Sequence, residues 1–278
     1  MGAVRLRREL SRGLRIAGAR ALLTGASGGI GAAIARGLDS AGAELVLSAR
    51  RTDALEALRG ELGGRPRLEP ADLAEPGAAL ELAERAGRVD LLVANAALPA
   101  SGPLDGFTAE EIDRAIEVNL RVPAQLARAL VPAMRERGSG HLVFIGSLNG
   151  RVATAGSSLY SATKFGLRGL AGGLREDLHG TGVGVSVVSP SFVSEVGMYA
   201  ETGVELPRGV RTVTADDVAR AVIRAVERNR GEINVAPLAL RLGARAAELA
   251  PGPTAALQRK LGSHEIAAQM AHAQANKR

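Results

Sequence analysis

The stretch TGASGGIG, Thr24 to Gly31, follows a short apolar run, ARALLTG, and leads straight into a helical pattern, IGAAIARGLDSAG. Glycines between a strand and a helix permit a tight turn. They also let the backbone approach a pyrophosphate closely and aim the amides of the helix start at its charge. The spacing of Gly25, Gly29 and Gly31 is wider than Gly-x-Gly-x-x-Gly. The turn alone therefore predicts only a strand-helix junction, and its place in the order of elements decides what it holds.

Outward from this turn, short apolar runs alternate with helical periods. AELVLSA, VDLLVAN, HLVFIGS, VGVSVVSP and EINVAP read as buried strands; DALEALRGEL, GAALELAERAG, the long stretch AEEIDRAIEVNLRVPAQLARALVPAMRERG and ADDVARAVIRAVERNR read as helices. This order predicts an α/β fold: a single doubly wound, Rossmann-type parallel sheet with helices on both faces. In such a sheet the turn after the first strand is where a dinucleotide binds.

Composition narrows the chemistry. A hydrophobic fraction of 46% with only 2% aromatic residues predicts an aliphatic core. The absence of cysteine excludes disulfides and thiol catalysis, and His141, His179, His264 and His272, expected as surface or capping residues, lack metal-ligand spacing. No metal is expected. The formal charge of +6 sits in the ends: residues 1–20 carry six arginines against one acid, and residues 237–278 six basic residues against two acids. The body between them is slightly acidic, so no nucleic-acid partner is expected. The N-terminus lacks an uninterrupted apolar run and no run reaches membrane-spanning length, which predicts a cytoplasmic protein.

YSATKFGLRGL, Tyr160 to Leu170, brings together one of only two tyrosines and one of only three lysines. Random placement would yield about 0.02 such Tyr-x-x-x-Lys pairs. On a helix, residues four apart share a face, so both side chains can converge on one ligand. A neighbouring ammonium favours the phenolate, which brings a phenol nearer to acid-base work at neutral pH. Ser147, at the end of a predicted strand, can offer a second hydrogen bond to the same substrate oxygen.

Thr-Gly-x-x-x-Gly-x-Gly at the first turn, followed later by Tyr-x-x-x-Lys, resembles the short-chain dehydrogenase/reductase family over roughly residues 16–236. Asp72 in PADL, ANAA at 94–97, Asn119 in EVNL, Ser147 in FIGS and Pro190 in VVSPS fall in the family's order. Two departures stand out: Ala97 and Ser191 occupy positions where the family usually has glycine. The resemblance implies catalytic roles for Asn119, Ser147, Tyr160 and Lys164, with Asn119 in a water-linked proton relay and Lys164 also on the nicotinamide ribose. Cofactor contacts are expected at Gly25, Ser27, Gly29, Ile30, Gly31, Arg50, Arg51, Asp72, Leu73, Asn95, Ala96, Tyr160, Lys164, Pro190 and Val193. It also implies association as a homodimer or homotetramer.

Charge selects between nicotinamide cofactors. The second strand ends VLSARR, with Ala49 where an NAD-selecting acid would sit, followed by Arg50 and Arg51. A guanidinium suits a 2′-phosphate, so NADP(H) is expected over NAD(H). Gly166, Gly169, Gly172 and Gly173 follow the tyrosine on its helix, which suggests close approach of a neighbouring helix or a second subunit.

By the same resemblance SFVSEVGMYAETGVELPRGV covers the substrate. Phe192, Val193, Val196, Met198, Tyr199 and Leu206 favour an apolar alcohol or ketone, while Glu195 replaces a residue that often touches the cofactor. LALRLGARAAELA, 238–250, reads as an amphipathic helix that packs on its own domain or a partner subunit, with membrane-surface contact as the alternative; Pro251 and Pro253 should stop it. Three regions follow: a basic extension over 1–15, a cofactor-binding domain over 16–236 and a helical extension over 237–278. The expected function is hydride transfer between NADP(H) and a small-molecule secondary alcohol or ketone. The alternatives are an NADP(H)-binding regulator or scaffold without turnover and, more remotely, a sugar-nucleotide epimerase or dehydratase. Weak peripheral membrane contact through the basic tails is a further expectation.

Overall fold

The computed structural model describes residues 13–194, 196–200, 202–204, 211–260, 269 and 273. Glu195, Leu206, His264, His272, residues 1–12 of the basic extension and most of the segment after 260 lie outside the described residues.

Strands β1 (Arg20–Thr24), β2 (Glu44–Ser48), β3 (Arg67–Leu68), β4 (Leu91–Ala94), β5 (Gly140–Ile145), β6 (Val183–Pro190) and β7 (Glu232–Val235) form one sheet. Every pairing is parallel, in the order β3-β2-β1-β4-β5-β6-β7. Strand order therefore reverses between β1 and β4, the place where doubly wound sheets open a crevice at their carboxyl ends.

The apolar runs are continuous because both faces of the sheet are covered. Leu23, Leu47, Val93, Val143 and Val188 point to one core, where Ile34 and Leu38 of α1 (Gly29–Ser40) and Val218 and Val222 of α8 (Ala215–Glu227) pack. Their neighbours Leu22, Val46, Leu92, Phe144 and Val187 point to the other core. There they meet Leu82 of α3 (Ala78–Ala86), Leu126 and Met134 of α5 (Val122–Arg137) and Leu167 of α6 (Ser158–Asp177). Successive side chains alternate across a strand, so an unbroken aliphatic run is what a sheet buried on both faces requires. The remaining helices are α2 (Thr52–Glu61), α4 (Ala109–Ile116), the one-turn α7 (Gly197–Ala200), α9 (Leu238–Leu249) and α10 (Pro251–Lys260). Among the described residues, none is long and apolar enough to cross a membrane.

Several sequence expectations need correction. Strand β3 escapes a hydrophobic search because its pairing reaches only Arg67 and Leu68, in a stretch rich in arginine and proline. The long helical pattern from 109 contains a π-turn at Glu117–Arg121 that joins α4 to α5. Helix α9 ends at Leu249, just before Pro251, as expected, but Pro251 then opens a further helix, α10: at a first helical position the missing proline N–H has no intrahelical partner to lose. Among the described residues, only Gly166 of the four α6 glycines meets another element, the side chain of Leu120; no described residue lies within 4 Å of where a Cβ would stand at Gly169, Gly172 or Gly173.

His141 is not at the surface. It lies buried on β5, its Nε2 is 2.7 Å from the Ser186 hydroxyl on β6, and the ring fills the space a side chain at Gly184 would need. Burial, with a smaller contribution from the Arg175 guanidinium, depresses its pKa to about 3. The folded ring stays neutral while an unfolded histidine takes a proton near pH 6.5, so this contribution to stability is full above that pH and is lost as the pH falls. For His141→Gln, which keeps a polar partner for Ser186 without a titrating group, the loss of unfolding free energy from pH 7 to 4.5 should be smaller than in the wild type by about 2–3 kcal/mol. Urea unfolding at both pH values measures the difference.

Candidate active site

At the strand-order reversal, the Thr24 hydroxyl accepts the backbone N–H groups of Asn95 and Ala96, both at 3.1 Å. Asn95 Nδ2 donates in return to the Thr24 and Gly25 carbonyls at 3.1 and 3.0 Å. The ends of β1 and β4 are thereby clasped together. Gly25 has φ +65°, and a Cβ there would stand 2.8 Å from the Ala96 Cα, so the position needs glycine on both counts. Ser27 lies in the turn, and Gly29, Ile30 and Gly31 form the first turn of α1. Gly28 caps that helix without a side-chain hydrogen bond, and its first turn holds no acid. Helix amides that meet no protein anion fit a pyrophosphate, and the Val196 side chain of the segment after β6 lies directly against Gly29 in this turn.

Further along the same edge, Ala49 is buried at the end of β2, whereas Arg50 and Arg51 are exposed. Neither arginine forms an ion pair among the described residues. Asp72 Oδ1 accepts the Ala74 N–H at 3.0 Å, closing its own turn, and Leu73 beside it is buried. Pro190 ends β6, and Val193 bridges to Val213.

The chemistry-bearing residues come from three elements. Ser147 follows β5 and accepts the Asn149 N–H at 3.2 Å, while Tyr160 and Lys164 lie one turn apart on α6. The Ser147 side chain lies beside the Tyr160 phenol and acts to lower its pKa. Lys164 Nζ donates to the Ile145 carbonyl at 3.0 Å and stands 5.6 Å from the Tyr160 ring centroid. The approach of the Ser147 segment to α6 rests on Gly150: a Cβ there would lie 2.7 Å from the Lys164 carbonyl oxygen. Asn119 sits in the π-turn, fully buried, with Oδ1 accepting the Leu98 N–H at 2.7 Å and Nδ2 donating to the Leu98 carbonyl at 3.0 Å. Both ends of its amide thus bind the segment after β4.

The electrostatics differ from the expectation for an isolated pair. Burial raises the Tyr160 phenol above its usual value, with the Ser147 side chain pulling the other way. Burial also lowers Lys164 to about 8. Desolvation of both charged forms, not attraction between them, dominates at this pair. Lys164 still carries most of its charge at neutral pH.

Phe192 and Tyr199 stack edge to face with centroids 5.0 Å apart, and the Tyr199 hydroxyl donates to the Val204 carbonyl at 2.6 Å. They form a partly buried apolar cover after β6. Two positioning groups were not singled out from the sequence. Thr24 lay inside the glycine motif as its first letter, and Gly150 carried no signal beyond being a glycine near Ser147.

Comparison with known proteins agrees with this geometry. The family model described as short chain dehydrogenase matches residues 19–205. Ketoacyl reductase HetN of Nostoc sp. is 36% identical over 227 residues, covering 79% of each chain. A metagenomic short-chain oxidoreductase solved with NADP is 35% identical with a TM-score of 0.68, over 81% of this chain and 99% of that one. A short-chain dehydrogenase from Sphingobium yanoikuyae solved with NADPH is 30% identical with a TM-score of 0.73, over 88% and 95%. With the reversed strand order, the glycine turn and the Tyr160–Lys164 helix all in place, the chain belongs to the short-chain dehydrogenase/reductase family.

Proposed function

We propose that the protein interconverts a secondary alcohol and a ketone with NADP(H). The observation that carries this reading is the meeting of Tyr160, Lys164 and Ser147: a phenol beside a serine hydroxyl, with a buried ammonium 5.6 Å from its ring centroid. Gly25, Ser27, Gly29, Ile30, Gly31, Asn95 and Ala96 would hold the dinucleotide along the β1–β4 crevice, with Asp72 and Leu73 toward its adenine end and Pro190 and Val193 toward its nicotinamide end. The cofactor, when bound, supplies or accepts the hydride.

The chain's own part is proton management. As negative charge grows on a carbonyl oxygen, the Tyr160 O–H donates its proton there and the Ser147 O–H donates a hydrogen bond, so both act where charge develops. Lys164 is held by the Ile145 carbonyl, and its charge stabilises the phenolate that Tyr160 becomes. Asn119 holds Leu98 and thereby the wall after β4; with both ends of its amide so engaged, a part in a proton relay would fall to its backbone.

The raised Tyr160 pKa suits proton donation, hence the reducing direction, at neutral pH. An apolar, acyl-like ketone suits the Phe192–Tyr199 cover, and the likeness to a ketoacyl reductase supports it. Arg50, with no acid at Ala49, favours NADP(H), and two similar structures carry that cofactor. A cytoplasmic enzyme is consistent with this use. The exposed Gly169, Gly172 and Gly173 face of α6 fits a second subunit in a homodimer or homotetramer.

Two variants test the reading. Ala49→Asp combined with Arg50→Ala exchanges phosphate attraction for ribose hydrogen bonding and should move the NADPH-to-NADH affinity ratio toward NADH by about 10- to 100-fold. Calorimetry on both forms measures it, and a wild type that binds NADH more tightly than NADPH contradicts the preference. Tyr160→Phe keeps the ring but deletes the titrating oxygen, so kcat should fall by about 10²–10⁴-fold while NADPH affinity survives. Turnover above about a tenth of wild type, on a ketone whose chemical step limits the rate, would make the tyrosine structural.

A further inference from the structure

Helix α9 turns its leucines the wrong way for a helix that merely packs on its domain. Leu238, Leu242 and Leu249 are 66%, 56% and 88% exposed, the highest values among the exposed large hydrophobic residues described. At about 100° per residue they project within about 40° of one another. The face turned inward is the small and polar one, with Ala244 and Ala247 buried.

This orientation is fixed by charge. Glu248 pairs with Arg151 at 2.7 Å and with Arg168 at 2.8 Å, and Arg168 pairs with Glu232 of β7 at 3.1 Å. Arg151, whose side chain is 9% exposed, completes the ring through Glu232. Two guanidiniums and two carboxylates therefore hold α9 against α6 and β7. Glu248 is the only acid of α9, and the ring consumes it.

What remains on the outer face is apolar and cationic. Arg241 and Arg245 are exposed, lie along one edge of the leucine stripe and form no ion pair among the described residues. A second copy meeting this face across a two-fold axis would set arginine against arginine. An anionic lipid surface answers both features: phosphates meet the guanidiniums, and the headgroup boundary takes the leucines.

We propose that the Leu238–Leu242–Leu249 stripe of α9, with Arg241 and Arg245, seats the protein on an anionic bilayer. The inference is independent of the catalytic reading and sharpens the broader expectation for the basic tails. The test is flotation of the full chain with phosphatidylcholine vesicles, with or without phosphatidylserine, at low salt. Wild type should associate with the anionic vesicles at least about tenfold more than with the neutral ones. Leu238→Gln/Leu242→Gln/Leu249→Gln should lose at least about tenfold of that association. Arg241→Gln/Arg245→Gln should lose the preference for anionic lipid. NADPH affinity, measured alongside, should stay at the wild-type value in both variants, since these surface positions are remote from the glycine turn. Wild-type recovery in the vesicle-free fraction, or undiminished binding of the leucine variant, overturns the proposal. So does a leucine variant whose altered sedimentation velocity reports lost self-association without a vesicle effect, because the stripe is then a contact between copies.

Discussion

A single threonine hydroxyl holds the place from which the rest of this candidate site is measured. Thr24 sits where β1 ends, and by accepting the amides of Asn95 and Ala96 it keeps the carboxyl ends of β1 and β4 side by side at the strand-order reversal. The Asn95 side chain returns the contact to the β1 carbonyls, so the clasp satisfies backbone groups that the diverging chains would otherwise leave unpaired. Without it the glycine turn would have no fixed wall. With it, Gly25 can pass against Ala96 at a distance only glycine tolerates, and α1 starts directly after the turn with no acid in its first turn.

A second clasp sets the side that carries Ser147, Tyr160 and Lys164. The segment after β5 approaches α6 closely because Gly150 has no side chain, and Lys164 reaches back to the Ile145 carbonyl. These contacts join the end of β5 to the helix that carries Tyr160, which is why Ser147 and Tyr160 meet although thirteen residues separate them in the chain. Burial then acts on both titrating groups in opposite senses, raising the phenol and lowering the ammonium. On the proposed function, a phenol kept protonated beside a partly dehydrated cation would give up its proton when charge appears in front of it. Beyond these clasps, the ring of Arg151, Arg168, Glu232 and Glu248 ties the C-terminal helix to the far side of α6, so the extension is part of the same framework.

The sheet was legible in the sequence because strands buried on both faces must be continuous and apolar, and Leu22–Leu23 or Val143–Phe144 can be nothing else. The Tyr160–Lys164 pair was legible because rarity and helical spacing coincide. Features decided by a long-range neighbour were not. Strand β3 exists only through two pairings to β2, and His141 is buried because Gly184 on β6 leaves room for its ring. Gly150 looks like any turn glycine until α6 is set against it. The desolvation that governs Tyr160 likewise comes from surroundings that a local reading of Tyr-x-x-x-Lys cannot supply. The leucines of α9 read as amphipathic, but their outward direction follows from the Glu248 ion pairs to residues far along the chain.

The central claim is that this crevice moves hydride rather than only holding a dinucleotide. The direct measurement uses NADPH carrying deuterium at both C4 positions, incubated with the protein and a panel of apolar ketones, with mass spectrometry of the alcohol formed. The account predicts one deuterium on the carbinol carbon of the product and none without the protein. Stoichiometric NADPH binding with no deuterated alcohol from any ketone of the panel would contradict it, and would leave the chain a binder of the cofactor without turnover.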